Sequence, residues 1–139
     1  MNIKSLAHIC IKTIDLEKTK AFYCAALGME KLFSFTRKNE VIGFYLKAGN
    51  NTFVEVFLVD QAEPTTTNHT LSHFCLETDA IEELRQNILD NGYSPGAIKM
   101  GADHSLQFWI VDPNGINMEF HQYNENSSQL TGQDVEVDW

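Results

Sequence analysis

The sequence predicts an α+β fold of two tandem βαβββ modules, with curved mixed sheets around a cavity. Three observations carry the repeated module. A short strand-like motif occurs twice, as Leu6-Ala-His-Ile-Cys10 and Leu71-Ser-His-Phe-Cys75. Each copy leads into a helix-like segment with an Asp before it and a Gly after it. Each module then closes on an apolar run holding a glutamate, Phe53-Val-Glu-Val-Phe57 and Asn117-Met-Glu-Phe120. The His-to-Glu gaps are 47 and 46 residues, and the copies are offset by 65 residues at the His and 64 at the Glu. Matched spacing of this kind is the signature of a duplicated unit.

The elements follow in order. Module one covers about 4–60, a linker 61–70, module two 71–123 and a polar tail 124–139, all within one domain. The opening strands are expected at 6–12 and 71–77. The first helix is expected at 15–26, with Asp15 as N-cap and Gly28 past its end. The second is expected at 79–90, with Asp79 as cap and Gly92 past its end. Leu16, Ala21, Phe22 and Leu27, then Ile81, Leu84, Ile88 and Leu89, give the apolar helix faces. Strands are expected at 30–36, 41–47 and 53–59, with a turn at 48–51. Module two offers a weak strand around 96–100, then 105–111 and 116–123. The turn Asp112-Pro-Asn-Gly115 joins the last two as a hairpin, because Pro presets φ and Gly accepts the left-handed position. The linker is polar, with His69 solvated. The tail lacks periodicity and is read as peripheral, with Leu130, Val135, Val137 and Trp139 available to dock.

Composition narrows the class of function. At 139 residues and 43% apolar content the chain is long enough for one domain with a packed core. A net charge of −9 argues against phosphate-backbone binding, so no nucleic-acid partner is expected. No apolar run reaches the length of a membrane span, and the first residues do not form a signal peptide, so the expected location is the cytoplasm. Cys10, Cys24 and Cys75 are an odd, dispersed set. No disulfide framework is expected, and the plain reading is three small buried hydrophobes. Cys10 and Cys75 stand apart because each lies two residues after a candidate ligand.

The candidate metal ligands are His8, Glu55, His73 and Glu119. Strand alternation puts His8, Cys10 and Lys12 on one face, and Ile9 and Ile11 on the other. His73, Cys75 and Glu77 share a face opposite Phe74 and Leu76. Glu55 is grouped with Phe53 and Phe57, and Glu119 with Asn117, His121 and Tyr123. Singly, each Glu reads as part of a wet strand face and each His as a satisfied core or surface residue. The paired recurrence ties them together, since two imidazoles and two carboxylates suit one divalent ion per chain, Ni²⁺, Zn²⁺, Co²⁺, Mn²⁺ or Fe²⁺. Four further residues are candidates for a substrate pocket. Lys12 is either a rim cation for an anionic ligand or a strand-end surface lysine. Phe57 shares the Glu55 face. His104 lies in a loop that borders a pocket or simply faces water. His121 lines the pocket or orients a ligand.

These motifs resemble the vicinal oxygen chelate superfamily, which includes glyoxalase I, type I extradiol dioxygenases, methylmalonyl-CoA epimerase, fosfomycin resistance enzymes and bleomycin resistance proteins. The likeness covers residues 6–123. It rests on His8 with Asp15-Leu-Glu-Lys and Phe22-Tyr23, on Leu27-Gly-Met, and on Phe108-Trp-Ile-Val-Asp-Pro-Asn-Gly-Ile-Asn-Met-Glu119. The resemblance implies metal ligands on the first and fourth strands of each module, at His8, Glu55, His73 and Glu119. The full His-Glu-His-Glu set is most similar to that of glyoxalase I. It implies a metal-dependent lyase or isomerase acting through an enediolate on a small substrate with vicinal oxygens. Glu119 is then the first choice of base and Glu55 its alternative. The rivals are an Fe²⁺ extradiol-type dioxygenase and a non-catalytic small-molecule binding or resistance protein of the same fold. Lys12 and Val59 stand where glyoxalase I has an Arg and an Asn, which argues against glutathione as the thiol. The family likeness also implies a homodimer, with modules exchanged between subunits.

Overall fold

A computed structural model describes residues 3–63 and 70–137. The chain divides into two compact units, Met1–Pro64 and Thr65–Trp139. His69, the middle of the expected linker, and Trp139 lie outside the described residues.

Unit one contains β1 (His8–Thr13), α1 (Leu16–Lys20) running into a π-helical turn at Ala21–Ala26, then β2 (Glu30–Arg37), β3 (Glu40–Lys47) and β4 (Phe53–Leu58). Its sheet order is β1-β4-β3-β2. β1 and β4 pair in parallel and the remaining neighbours are antiparallel. A parallel pair needs a long crossover, and everything between β1 and β4 serves as that crossover. Unit two repeats the plan with β5 (Phe74–Glu77), α2 (Ile81–Asp90), β6 (Lys99–Met100), β7 (Leu106–Val111) and β8 (Asn117–Gln122) in the order β5-β8-β7-β6. A short helix, α3 (Ser128–Thr131), follows. The expected α+β class and the repeated βαβββ order are thus both present as two four-stranded mixed sheets.

Each sheet buries one face under its helix. Ile11, Phe44, Leu46, Val54 and Val56 of the first sheet are buried, as are Phe22, Tyr23 and Ala26 above them. In unit two the buried set is Phe108, Ile110, Met118 and Phe120, with Ile81 and Ile88 of the helix. These side chains alternate along their strands with the candidate ligands, so the sites lie on the faces turned away from the helices. Gly43 permits a close approach in the first sheet. A Cβ there would run into the Val56 carbonyl oxygen and the Phe57 ring.

Several local expectations need correction. Asp15 does cap α1, its Oδ1 accepting from the Lys18 amide at 2.9 Å. The second half of that helix widens, and the Leu27 amide donates to the Phe22 carbonyl five residues back. The wider turn shifts the helix face, leaving Ala21 exposed while Phe22 and Tyr23 are both fully buried. Asp79 does not cap the second helix. Ala80 is the cap residue, and the Ile81 amide is satisfied by Gln122 Oε1 at 2.9 Å. A side chain from β8 thus replaces a local cap. Leu89 is exposed rather than packed.

The tail is not peripheral over its first half. Ser127 is fully buried, its Oγ 3.1 Å from Ser105 Oγ, and Asn124 Nδ2 donates to the His104 carbonyl. The docking is polar, so no apolar pattern announces it. Leu130, Val135 and Val137 remain exposed.

Candidate functional site

The two units present the same register on their ligand faces. Cys10 pairs with Glu55 and Cys75 with Glu119, each in a parallel ladder. Residues opposite one another in a ladder share a face, so each Glu stands beside the strand that brings in the His. In unit one His8 Nε2 lies 3.9 Å from Glu55 Oε2. In unit two His73 Nε2 lies 3.4 Å from Glu119 Oε2, and Ser72 Oγ holds the other ring nitrogen at 2.8 Å. The structure therefore brings together the members of each His–Glu pair within its own unit.

The surroundings of the pairs differ. Around Glu55 the face is aromatic. Tyr45, opposite Glu55 in β3, stacks on Phe53 and Phe33, and its ring meets His8 edge-on. Phe57 packs on Phe35 with ring centroids 4.6 Å apart. Lys12, opposite Phe57, is exposed.

Around Glu119 the face carries titratable groups. His121 Nε2 approaches Glu119 Oε1 at 3.0 Å, and His121 Nδ1 lies 3.7 Å from Asp103 Oδ2. Trp109 meets the His73 ring edge-on at 4.6 Å. His104 makes no ion pair with any of these groups. It is exposed, with a left-handed backbone (φ 62°), and borders a groove with Met100, Asn124, Glu125 and Asn126.

The residues fit a divalent cation on a specific observation. Glu119 is only 8% exposed, yet no Lys or Arg among the described residues pairs with it. A buried carboxylate without a cationic partner is costly. The His73 imidazole beside its Oε2 is a donor suited to the same ion. Unit one presents its own pair, His8 and the half-buried Glu55, with one nitrogen and one carboxylate.

Two cysteines contradict the buried reading, since Cys10 and Cys75 are both exposed on the ligand faces. Partial desolvation and the neighbouring Glu119 carboxylate push the Cys75 thiol up to about 12. Cys10 is also raised, by desolvation and by Glu55. Asp103 moves the other way. Burial works against its charge, but donors from Gln129 and Ser105, with His121 nearby, hold it below the usual range. Sequence reasoning did not single out Asp103, Tyr45 or Trp109 for this surface. Tyr45 and Trp109 were findable, because they occupy equivalent positions of the repeat, each opposite the Glu. Asp103 sits in a loop and no periodicity points to it.

Residues 7–108 match the family model described as Glyoxalase/Bleomycin resistance protein/Dioxygenase superfamily. The chain belongs to that superfamily. No curated protein matches it. Among solved structures it is similar to a glyoxalase family protein from Enterococcus faecalis, with 26% identity and a TM-score of 0.73 over 87% of this chain and 99% of that one. It also shares its fold with TnmS3, an antibiotic-binding protein from a Streptomyces species, at 20% identity and a TM-score of 0.70 over 89% and 99%. A lactoylglutathione lyase from Agrobacterium tumefaciens gives 16% identity and a TM-score of 0.67 over 88% and 96%. The superfamily thus holds both enzymes and binding proteins on this scaffold. No helix among the described residues is long and apolar enough to cross a membrane.

Proposed function

We propose that the chain is a metal-dependent lyase or isomerase of the glyoxalase I type, acting on a small substrate with two adjacent oxygens. One observation carries the reading: a His–Glu pair recurs at the same register position in both units, 3.9 Å apart in one and 3.4 Å in the other. His8, Glu55, His73 and Glu119 would hold one divalent ion between them. That ion, when bound, supplies Lewis-acid stabilisation of negative charge on the substrate oxygens.

The chain's own residues do the rest. Glu119 takes the proton from the carbon next to the carbonyl, a general-base role worth roughly 10²–10⁴-fold. Its burial beside His73 and His121 keeps the carboxylate aimed. Glu55 serves the opposite face of the substrate. The rings of Phe33, Phe35, Tyr45, Phe53 and Phe57 form an apolar wall beside His8 and Glu55, suited to a planar or hydrophobic substrate portion. Lys12 stands at its rim as a cation for an anionic group. Val59 offers no polar side chain where a glutathione amide would need one, so a non-glutathione substrate is expected.

The test is a substrate panel of hydroxy-carbonyl compounds and hemithioacetals. It is run on metal-stripped protein and on protein loaded with Ni²⁺, Zn²⁺, Co²⁺, Mn²⁺ or Fe²⁺. Turnover that appears on loading and vanishes in Glu119→Gln supports the proposal. Efficient turnover of the methylglyoxal–glutathione adduct would overturn the thiol assignment. Oxygen consumption with Fe²⁺ and a catechol would favour the dioxygenase reading. The aromatic wall also favours a binding role, which tight ligand binding without turnover on any metal would establish. The same reading places two chains in a twofold dimer with exchanged modules. Mixing His8→Ala with His73→Ala chains would then restore activity in part, whereas a monomer by light scattering would remove the dimer.

A further inference from the structure

The strongest unexplained feature outside the four-ligand set is His121. Its side chain is 10% exposed, and neither ring nitrogen has a hydrogen-bond partner among the described residues. Glu119 Oε1 comes within 3.0 Å of Nε2, but off the direction a ring N–H would donate. An in-plane nitrogen lone pair is therefore unspent on a buried ring, a state buried polar groups rarely keep without an ion or water. Cys75 stands on the neighbouring strand, opposite Glu119 in the ladder. One donor atom each from Cys75, Glu119 and His121 lies within 4.8 Å of the others.

The geometry points to a second, thiophilic metal site built wholly within unit two from Cys75, Glu119 and His121. One sulfur, one nitrogen and one oxygen donor suit Zn²⁺, Co²⁺ or Cd²⁺, and leave a fourth, open position of the kind a catalytic or exchangeable ion keeps. Glu119 has an oxygen for each role, since Oε2 faces His73 and Oε1 faces His121. Binding releases the Cys75 proton to solvent and forms a metal–thiolate bond. Asp103 Oδ2 lies 3.7 Å from the far ring nitrogen of His121, where its charge favours a proton on Nδ1 and leaves Nε2 free for the ion. The inference shares Glu119 with the four-ligand reading but does not depend on His8 or Glu55.

Titration of the full-length protein with Co²⁺ tests it, because a cobalt–thiolate bond gives a near-ultraviolet charge-transfer absorption that nitrogen and oxygen ligands do not. Wild-type protein should show this absorption, rising to saturation as the thiolate site fills. His8→Ala should keep it, as its unit is not involved. Cys75→Ser, at an exposed position that tolerates the change, should abolish it. His121→Gln should weaken the Co²⁺ affinity by about tenfold or more. Absence of the absorption in wild type overturns the site, and so does its persistence in Cys75→Ser, which would assign it to Cys10 or Cys24. Unchanged affinity in His121→Gln, with native circular dichroism, also overturns it. Loss in His8→Ala would mean that any thiolate bond belongs to the four-ligand site, which likewise ends this proposal while leaving the other intact.

Discussion

In unit one the surface around Glu55 is walled by aromatic rings, whereas in unit two the surface around Glu119 is lined by His73, Cys75, His121 and Asp103. The scaffold beneath is the same. Phe44 and Phe108 occupy equivalent buried positions on β3 and β7, and both ladders pair a cysteine with the glutamate. Two substitutions along the repeat account for much of the difference. Phe57 of unit one corresponds to His121 of unit two, and Gly43 to Gln107. In unit one the missing side chain at Gly43 lets Phe57 lie flat against the sheet. In unit two a histidine takes that place beside the carboxylate. A duplicated unit can thus keep its core and register while one copy carries an aromatic wall and the other gathers titratable groups.

If the two cores are equivalent, they should fail equally. Phe44→Ala and Phe108→Ala should each cost about 3–5 kcal/mol in denaturant unfolding. A much smaller loss for one would show that its unit is loosely packed. The glutamates should not behave alike. Glu119→Gln should weaken Mn²⁺ binding by more than the about 10–100-fold expected for a residue behind a ligand. Glu55→Gln should weaken it less, because Glu55 is more exposed and has one His beside it rather than two. Isothermal titration decides between them, and the reverse order would break the assignment of Glu119 as the anchoring carboxylate. Gly43→Ala should destabilise by about 1–3 kcal/mol through the clash with Val56 and Phe57. Gln107→Ala, at the equivalent place, should stay within about 0.5 kcal/mol.

The smallest effects are in titration of the metal-free protein. The Cys75 thiol sits well above its ordinary value of 9.0, at about 12, so the folded state favours its neutral form. That contribution is complete below about pH 9 and is lost as pH rises toward 12. Alkylation of Cys75 should therefore stay slow at pH 9 despite its exposure. Fast alkylation there, read by peptide mass, would contradict the arrangement around Glu119. Asp103 is held below its ordinary value of 3.8, so its contribution is present above that value and lost as pH falls through the lower folded one. Asp103→Asn should flatten the acid limb of the stability curve, and an unchanged limb would remove this account of the loop.

Much of this was legible in the chain because duplication writes the same pattern twice. The strand alternation around His8 and Glu55, repeated around His73 and Glu119, puts each His and Glu on one face, and each pair does meet within its unit. The Asp112 turn was legible through its own chemistry, and the Asn114 and Ile116 amides do donate to Asp112 Oδ1. What escaped was set by contacts distant in sequence. Gln122 reaches forty-one residues back to the Ile81 amide. Ser127 docks on Ser105 through hydroxyls, without an apolar signal. The π-helical turn at Ala21–Ala26 breaks the period that sequence reading assumes. The two-residue turn at Lys38 and Asn39 takes positive φ at both residues without the usual glycine.

The proposed function turns on one ion being served by both His–Glu pairs. Mn²⁺ tests it most directly, since a hard ion favours the nitrogen and oxygen donors over the cysteines. The binding isotherm of Mn²⁺ should be measured for the wild type, His8→Ala and His73→Ala. The account predicts about one ion per chain, with affinity falling strongly in each variant although the two histidines belong to different units. Full Mn²⁺ affinity in either variant, or no binding by the wild type, would contradict it.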